Sequence, residues 1–89
     1  MTKEIDTEEV NALAAEIEAA LYKEFGPLLF GKALYAALGY PSGDAFRQAL
    51  SRKTVPIETF EIEKRRGRFV LSKDVAIWLA HQRINIKEK

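Results

Sequence analysis

The sequence has no cysteine and only one histidine, the two residue types whose sulfur and nitrogen atoms bind metals. Tryptophan and proline are also rare, with one and three residues. Without cysteine, neither a disulfide nor a thiolate metal site can stabilise the chain, and a metal site would have to be built from carboxylates. We therefore expect a domain that depends on its own apolar core and uses neither a metal nor a cofactor.

Long apolar runs are missing as well. No run approaches the roughly 20 residues that a membrane-spanning helix needs, and the polar, acidic residues 1–10 do not resemble a secretory signal. With 89 residues, 47% of them hydrophobic, the chain is expected to form one small packed domain. These features predict a cytoplasmic protein without membrane contact.

The residue types that carry catalysis are also scarce. There is no cysteine nucleophile, the single histidine is His81 near the C-terminus, and the serines fall at predicted helix starts or on a helix surface. The five glycines are scattered and form no phosphate-binding loop. We therefore expect a binding protein and no enzyme.

The net charge of +1 conceals an uneven distribution. Residues 1–25 hold two basic residues against seven acids, a net charge of −5, whereas residues 26–89 hold twelve basic residues against six acids, a net charge of +6. An acidic segment beside a basic domain indicates a polyanionic partner. The alternative at this point is that the charges serve only solubility.

Apolar residues at three- and four-residue steps predict a first helix that ends at Phe25, just before Gly26-Pro27. Asp6 or Thr7 is suited to cap its start. The stripe consists of Val10, Leu13, Ala14, Ile17, Leu21 and Phe25. It can pack onto its own domain or pair with a second copy. Of the two, we favour a homodimer through residues 7–25.

Three more helices are predicted, over residues 32–38, from the cap Ser42 to residue 53, and from the cap Ser72 to residue 82. Gly39 follows the first of these, where a helix favours a left-handed residue. Residues 84–89 carry no clear pattern and are expected to form a flexible tail.

Between the last two helices the apolar period changes from 3.6 to 2. Phe60 and Ile62 alternate with glutamates, Phe69 and Leu71 follow, and Lys64-Arg65-Arg66-Gly67-Arg68 lies between the two runs. This pattern predicts a β-hairpin with a basic tip, in which Gly67 supplies the positive φ of the turn.

Two short helices, a hairpin and a closing helix follow the order of a winged helix-turn-helix. The fold class is thus expected to be mainly α with a small β-hairpin (α+β), a winged helix-turn-helix with an extra N-terminal helix. We divide the chain into an acidic helix (1–27) for packing or dimerisation, a DNA-binding domain (28–83) and a tail (84–89).

In such a fold the second short helix enters the major groove and the hairpin contacts phosphates. The candidate recognition residues are Ser42, Asp44, Arg47, Gln48, Ser51 and Arg52. The candidate wing residues are Lys64, Arg65, Arg66 and Arg68, and further phosphate contacts are expected from Lys32 and Lys73. The alternative for the wing arginines is pairing with Glu61 and Glu63 of the same hairpin.

Three stretches resemble the excisionase/AlpA-type regulators, a family distantly similar to the DNA-binding part of MerR proteins. Residues 30–42 resemble the family's first helix and turn, residues 46–56 its recognition helix and the proline step after it, and residues 65–79 its wing and closing helix. The resemblance covers residues 29–83. The acidic first helix and the three glutamates before the basic tip (Glu58, Glu61 and Glu63) depart from the family's pattern.

This resemblance implies binding of double-stranded DNA, as a small transcriptional regulator or an excision cofactor of a mobile element. A recombinase or RNA polymerase would then be a further partner. The alternative function is a winged-helix module that binds proteins and does not bind DNA, since a fold alone does not fix a function.

Overall fold

The computed structural model describes residues 7–88, which form four helices and one two-stranded sheet. In chain order the elements are α1 (Thr7–Phe25), β1 (Leu28–Phe30), α2 (Gly31–Ala37), α3 (Gly43–Arg52), β2 (Phe69–Leu71) and α4 (Ser72–Glu88). The fold class is therefore mainly α with a small antiparallel sheet, in agreement with the α+β prediction. Asp6, one of the two expected caps of the first helix, lies outside the described residues.

The sheet pairs different segments from those that the sequence predicted. β2 pairs antiparallel with β1, with Leu29 opposite Val70, and both of these residues are fully buried. The predicted strand before the basic tip is reduced to one bridge, in which the N–H groups of Phe60 and Phe69 each donate to the other residue's carbonyl at 2.9 and 2.8 Å. β1 is apolar along its length, and its middle residue Leu29 is buried with Val70 in the core. In residues 60–63, by contrast, every second residue is a glutamate.

The two short helices closely match the prediction. α2 begins at Gly31, one residue before the predicted start, and Phe30 occupies the N-cap position without a side-chain capping bond. The chain leaves α2 through Gly39 at φ +91°. That left-handed conformation suits glycine, which has no Cβ to clash with the backbone. α3 begins after Ser42 and ends at Arg52, with Lys53 in the left-handed region.

α4 continues to Glu88, so the prediction that this helix ends at residue 82 is wrong and residues 84–88, expected in the tail, are helical. Its extra turns are held by Ala80 and Ile84, which pack against Val10 and Ala14 of α1. Gln82, at the predicted end of this helix, is exposed. Lys89 lies outside the described residues.

The core has two parts. The larger one brings together the sheet, α2, α3 and the start of α4; its buried residues are Leu29, Leu34, Leu38, Phe46, Val70 and Val75. The smaller one lies between α1 and α4 of the same chain. The acidic helix therefore packs on its own domain through Val10 and Ala14, the first of the two interpretations of its stripe.

The end of α1 is joined to the start of α4 by Ser72, the one buried polar residue in the described core. Its hydroxyl donates a 2.7 Å hydrogen bond to the carbonyl of Gly26, and its N–H donates to the carbonyl of Pro27 at 2.8 Å. Ser72 thus acts across 46 residues of sequence, in addition to opening α4. Of the helices in residues 7–88, none is long and apolar enough to cross a membrane.

Candidate nucleic-acid interface

α3 is an amphipathic helix with a well-defined start. Ser42 has extended backbone angles, and its hydroxyl oxygen accepts a 3.1 Å hydrogen bond from the N–H of Ala45, so one of the free donors of the first turn is satisfied. Asp44 lies in that first turn, where the helix dipole favours a negative charge. Phe46 and Ala49 face the core, and the opposite face is left to solvent.

The solvent face of α3 carries Arg47, Gln48, Ser51 and Arg52, all of them exposed. Arg47 forms an ion pair with Asp44, one turn earlier, and the two side chains are 70% and 78% exposed. An ion pair this exposed contributes only about 0–1 kcal/mol. Another anion can therefore replace Asp44 at Arg47 at little cost.

Residues 61–68, which we call the basic loop, replace the predicted hairpin tip. The loop contains a turn in which the N–H of Arg65 donates to the carbonyl of Ile62 at 2.9 Å. Lys64 and Gly67 both have positive φ, +65° and +92°. The prediction that Gly67 has positive φ is confirmed; the same conformation at Lys64 was not expected.

The side chain of Arg68 is held by the protein itself. Its guanidinium donates to the hydroxyl of Thr59 at 2.9 Å, to the carbonyl of Thr59 at 3.2 Å and to the carboxylate of Glu61 at 3.0 Å. Arg68 therefore follows the alternative interpretation of the wing arginines, because it pairs with Glu61. Within residues 7–88, no side-chain hydrogen bond or ion pair involves Arg65 or Arg66.

α3 and the basic loop enclose a cleft of about 340 Å³. From α3 it is lined by Arg47, and from the basic loop by Arg66 and Arg68. The helix predicted to read bases and the loop predicted to contact phosphate therefore border the same space. This arrangement could not be derived from the spacing of the residues, because the two segments are about 20 positions apart in the sequence.

The lining of the cleft also includes four apolar residues that the sequence analysis did not identify as functional. These are Phe30, Tyr35, Phe46 and Leu50. Phe30 is 59% exposed, and its ring lies 5.4 Å from that of Phe69. One feature of the sequence could have indicated Phe30. Neighbouring residues of a strand face opposite sides, so if Leu29 of the apolar run Leu28-Leu29-Phe30 points into the core, Phe30 must face the other side.

The other predicted contact residues lie away from the cleft. Of the described residues that line it, none is Gln48, Ser51, Arg52, Lys64 or Arg65, although all five are exposed. Lys32 and Lys73 are exposed at the starts of α2 and α4. Asp44 borders the site only through its ion pair with Arg47, and Ser42 uses its hydroxyl oxygen as the helix cap.

Among residues 7–88, no three histidine, cysteine or carboxylate side chains are grouped so that they could hold a metal ion. Comparisons with protein-family models, with curated proteins and with solved structures found no match to this chain. The function must therefore be inferred from the geometry of the α3 face, the basic loop and the cleft between them.

Proposed function

We propose that this protein is a winged helix-turn-helix protein that binds double-stranded DNA. In this proposal α2 and α3 form the helix-turn-helix, the basic loop is the wing, and α3 enters the major groove, which is wide enough to admit a helix. The cleft then faces the phosphate strand that separates the groove occupied by α3 from the groove beside the wing.

The observation that carries the proposal is the convergence of Arg47 and Arg66 on one cleft from two separate segments. A duplex presents phosphates and base edges together, and a protein that reads it needs cations for the former and planar donors for the latter. Arg66 has no internal partner among the described residues, and the partner of Arg47 is an exposed carboxylate. Both cations are therefore available to DNA.

The contacts divide between the two elements. Lys64, Arg65 and Arg66 are proposed to contact phosphates, with Lys32 and Lys73 as flanking phosphate contacts. Arg47, Gln48 and Ser51 are proposed to face base edges, because arginine and glutamine can each form two hydrogen bonds to one base. Arg68 shapes the loop, since its donors are already used by Thr59 and Glu61.

A DNA-binding domain this small suits a transcriptional regulator or the excision cofactor of a mobile element, with RNA polymerase or a recombinase as the protein partner. One such module buries a limited surface on DNA, and a dimer doubles it. Because Val10 and Ala14 are buried against α4, a homodimer through residues 7–25 would use the exposed Tyr22 and Phe25 at the end of α1.

A protein-binding module is the second candidate, and one observation favours it. Phe30 is 59% exposed at the edge of an apolar cleft, and exposed aromatic residues are enriched at protein interfaces. In that case the arginines around the cleft would meet an acidic partner in place of phosphates.

The dependence of DNA affinity on salt distinguishes the two candidates. We expect mixed-sequence duplex to bind at low salt, with log affinity falling by about 0.9 per log unit of salt for each phosphate neutralised. Arg66→Ala should weaken binding to every duplex and reduce that slope by about 1. Its matched control is Arg83→Ala on α4, which lines the space between α1 and α4 and is not part of the cleft lining. Absence of duplex binding even at low salt would rule out the DNA proposal.

A further inference from the structure

The cleft between α3 and the basic loop has the size and the lining of a small-molecule site. Its volume of about 340 Å³ lies within the range of about 300–1,000 Å³ found for ligand pockets. The rings of Phe30, Tyr35 and Phe46 contribute to its lining, together with Leu50. Aromatic rings pack on a ligand ring in offset or edge-to-face geometry, so this floor suits a flat aromatic group.

The charges around the cleft favour an anion. Of its three arginines, Arg47 is paired with Asp44 and Arg68 with Glu61. Arg66 has no carboxylate partner among the described residues, so a single anionic group can bind to it without displacing one. A guanidinium binds a carboxylate or a tetrahedral oxyanion through two parallel hydrogen bonds, so one such group on the ligand completes the site.

A second cavity in the protein has a larger volume but lacks the aromatic lining and the excess of cations that the cleft has. The space between α1 and α4 is larger, about 580 Å³, and is lined by Glu9, Glu16 and Arg83. It has no aromatic side chain in its lining, and its two carboxylates disfavour an anion. The two cavities therefore differ in the kind of molecule that they can hold.

We propose that the cleft between α3 and the basic loop binds a small planar aromatic monoanion, an aryl carboxylate or sulfonate, which competes with DNA. The ligand's ring would lie on Phe30 and its anionic group on Arg66. Competition rests on the proposed function, because DNA would use the same Arg66 and Arg47. The binding itself does not depend on it.

The test uses two fluorescent probes that share their rings and differ in charge. 1-Anilinonaphthalene-8-sulfonate carries one negative charge, and N-phenyl-1-naphthylamine is the same molecule without the sulfonate. We expect the sulfonate to bind the folded protein about tenfold more tightly than the neutral probe. Arg66→Gln should reduce sulfonate affinity to that of the neutral probe, whereas Arg83→Gln, at an exposed arginine of α4 outside the cleft lining, should leave it unchanged.

Two further variants test the apolar part of the cleft. Phe30→Ser should weaken both probes severalfold. A Cβ at Gly43 would lie 3.5 Å from Arg47 Nη1 and from Tyr35 Cε2, an ordinary contact distance, so Gly43→Ala narrows the cleft without a clash and should also weaken both probes. Circular dichroism verifies that each variant remains folded. Equal affinity for the two probes, or sulfonate binding unchanged by both Arg66→Gln and Gly43→Ala, would overturn the proposal.

Adding duplex DNA separates the two proposals. Displacement of the bound sulfonate by duplex supports both. Duplex that binds without displacing the sulfonate overturns the competition, and duplex that does not bind at all overturns the proposed function while sulfonate binding upholds the cleft as a site. Duplex binding with no sulfonate binding overturns the cleft proposal alone.

Discussion

Arg68 and Thr59 are joined by two hydrogen bonds, one to the threonine hydroxyl at 2.9 Å and one to its carbonyl at 3.2 Å. They connect the end of the basic loop to the residue before Phe60, whose only ladder contact in the described structure is its bridge to Phe69. The first strand of the predicted hairpin is reduced to that bridge, and the Arg68 side chain takes over part of its role. The basic loop therefore contains one arginine that holds its conformation, Arg68, and two, Arg65 and Arg66, that have no side-chain partner in the described structure.

Replacement of Arg68 should consequently reduce stability. We expect Arg68→Ala to lower the free energy of unfolding by about 1–2 kcal/mol, because it removes a charged donor that is only partly exposed. Arg65→Ala, at a position without a side-chain partner in the described structure, should change it by no more than about 0.5 kcal/mol. Urea denaturation of both variants measures the difference, and equal effects would contradict a structural role for Arg68.

Arg47 should determine which duplex is chosen. Using a target duplex recovered by selection from a random pool, we expect Arg47→Ala to reduce discrimination against random duplex by about 1–3 kcal/mol. Asp44→Asn removes a negative charge and frees Arg47, so it should strengthen binding to both duplexes and to the target duplex most. Titrations of both duplexes at one salt concentration test this. If Arg47→Ala weakened both equally, Arg47 would be a phosphate contact.

The local signals of the sequence predicted the helices well because caps and terminators act over a few residues. Ser42, Gly39 and Gly26-Pro27 each determine the backbone within one turn, and the observed bounds of α1, α2 and α3 follow them closely. The pairing of β2 could not be obtained in this way. Its partner β1 is some 40 residues distant, and the choice between β1 and residues 60–63 depends on burial in the assembled core.

The candidate site shows the same division. The residue types on α3 and the basic loop were identified from the sequence, but their convergence on one cleft was not, because it depends on how β2 orients the loop. Arg66 and Arg68 are two residues apart and look equivalent in the sequence. Only Arg68 has Thr59 and Glu61 within reach, which is a consequence of the tertiary structure.

The last turns of α4 should be required for stability. Ile84 is 3% exposed and packs against Val10 and Ala14, so Ile84→Ala should lower the free energy of unfolding by about 2–4 kcal/mol, through lost apolar burial and the cavity left behind. Gln82→Ala, at an exposed position of the same helix, should have an effect within about 0.5 kcal/mol. Thermal denaturation compares the two. Similar melting temperatures would mean that residues 84–88 do not anchor α1.

Ser72 should contribute more to stability than an ordinary helix cap. Its hydroxyl is buried and its acceptor, the Gly26 carbonyl, belongs to the turn that leaves α1. Ser72→Ala removes that donor at a site with little access to water, so we expect a loss of about 1–3 kcal/mol. Ser51→Ala is the matched control, because Ser51 lies exposed on α3 and alanine favours the helix there. Chemical denaturation should show a loss for the first and none for the second. If both variants were equally stable, the link between α1 and α4 would have to come from apolar packing and from the backbone hydrogen bond of residue 72 to Pro27.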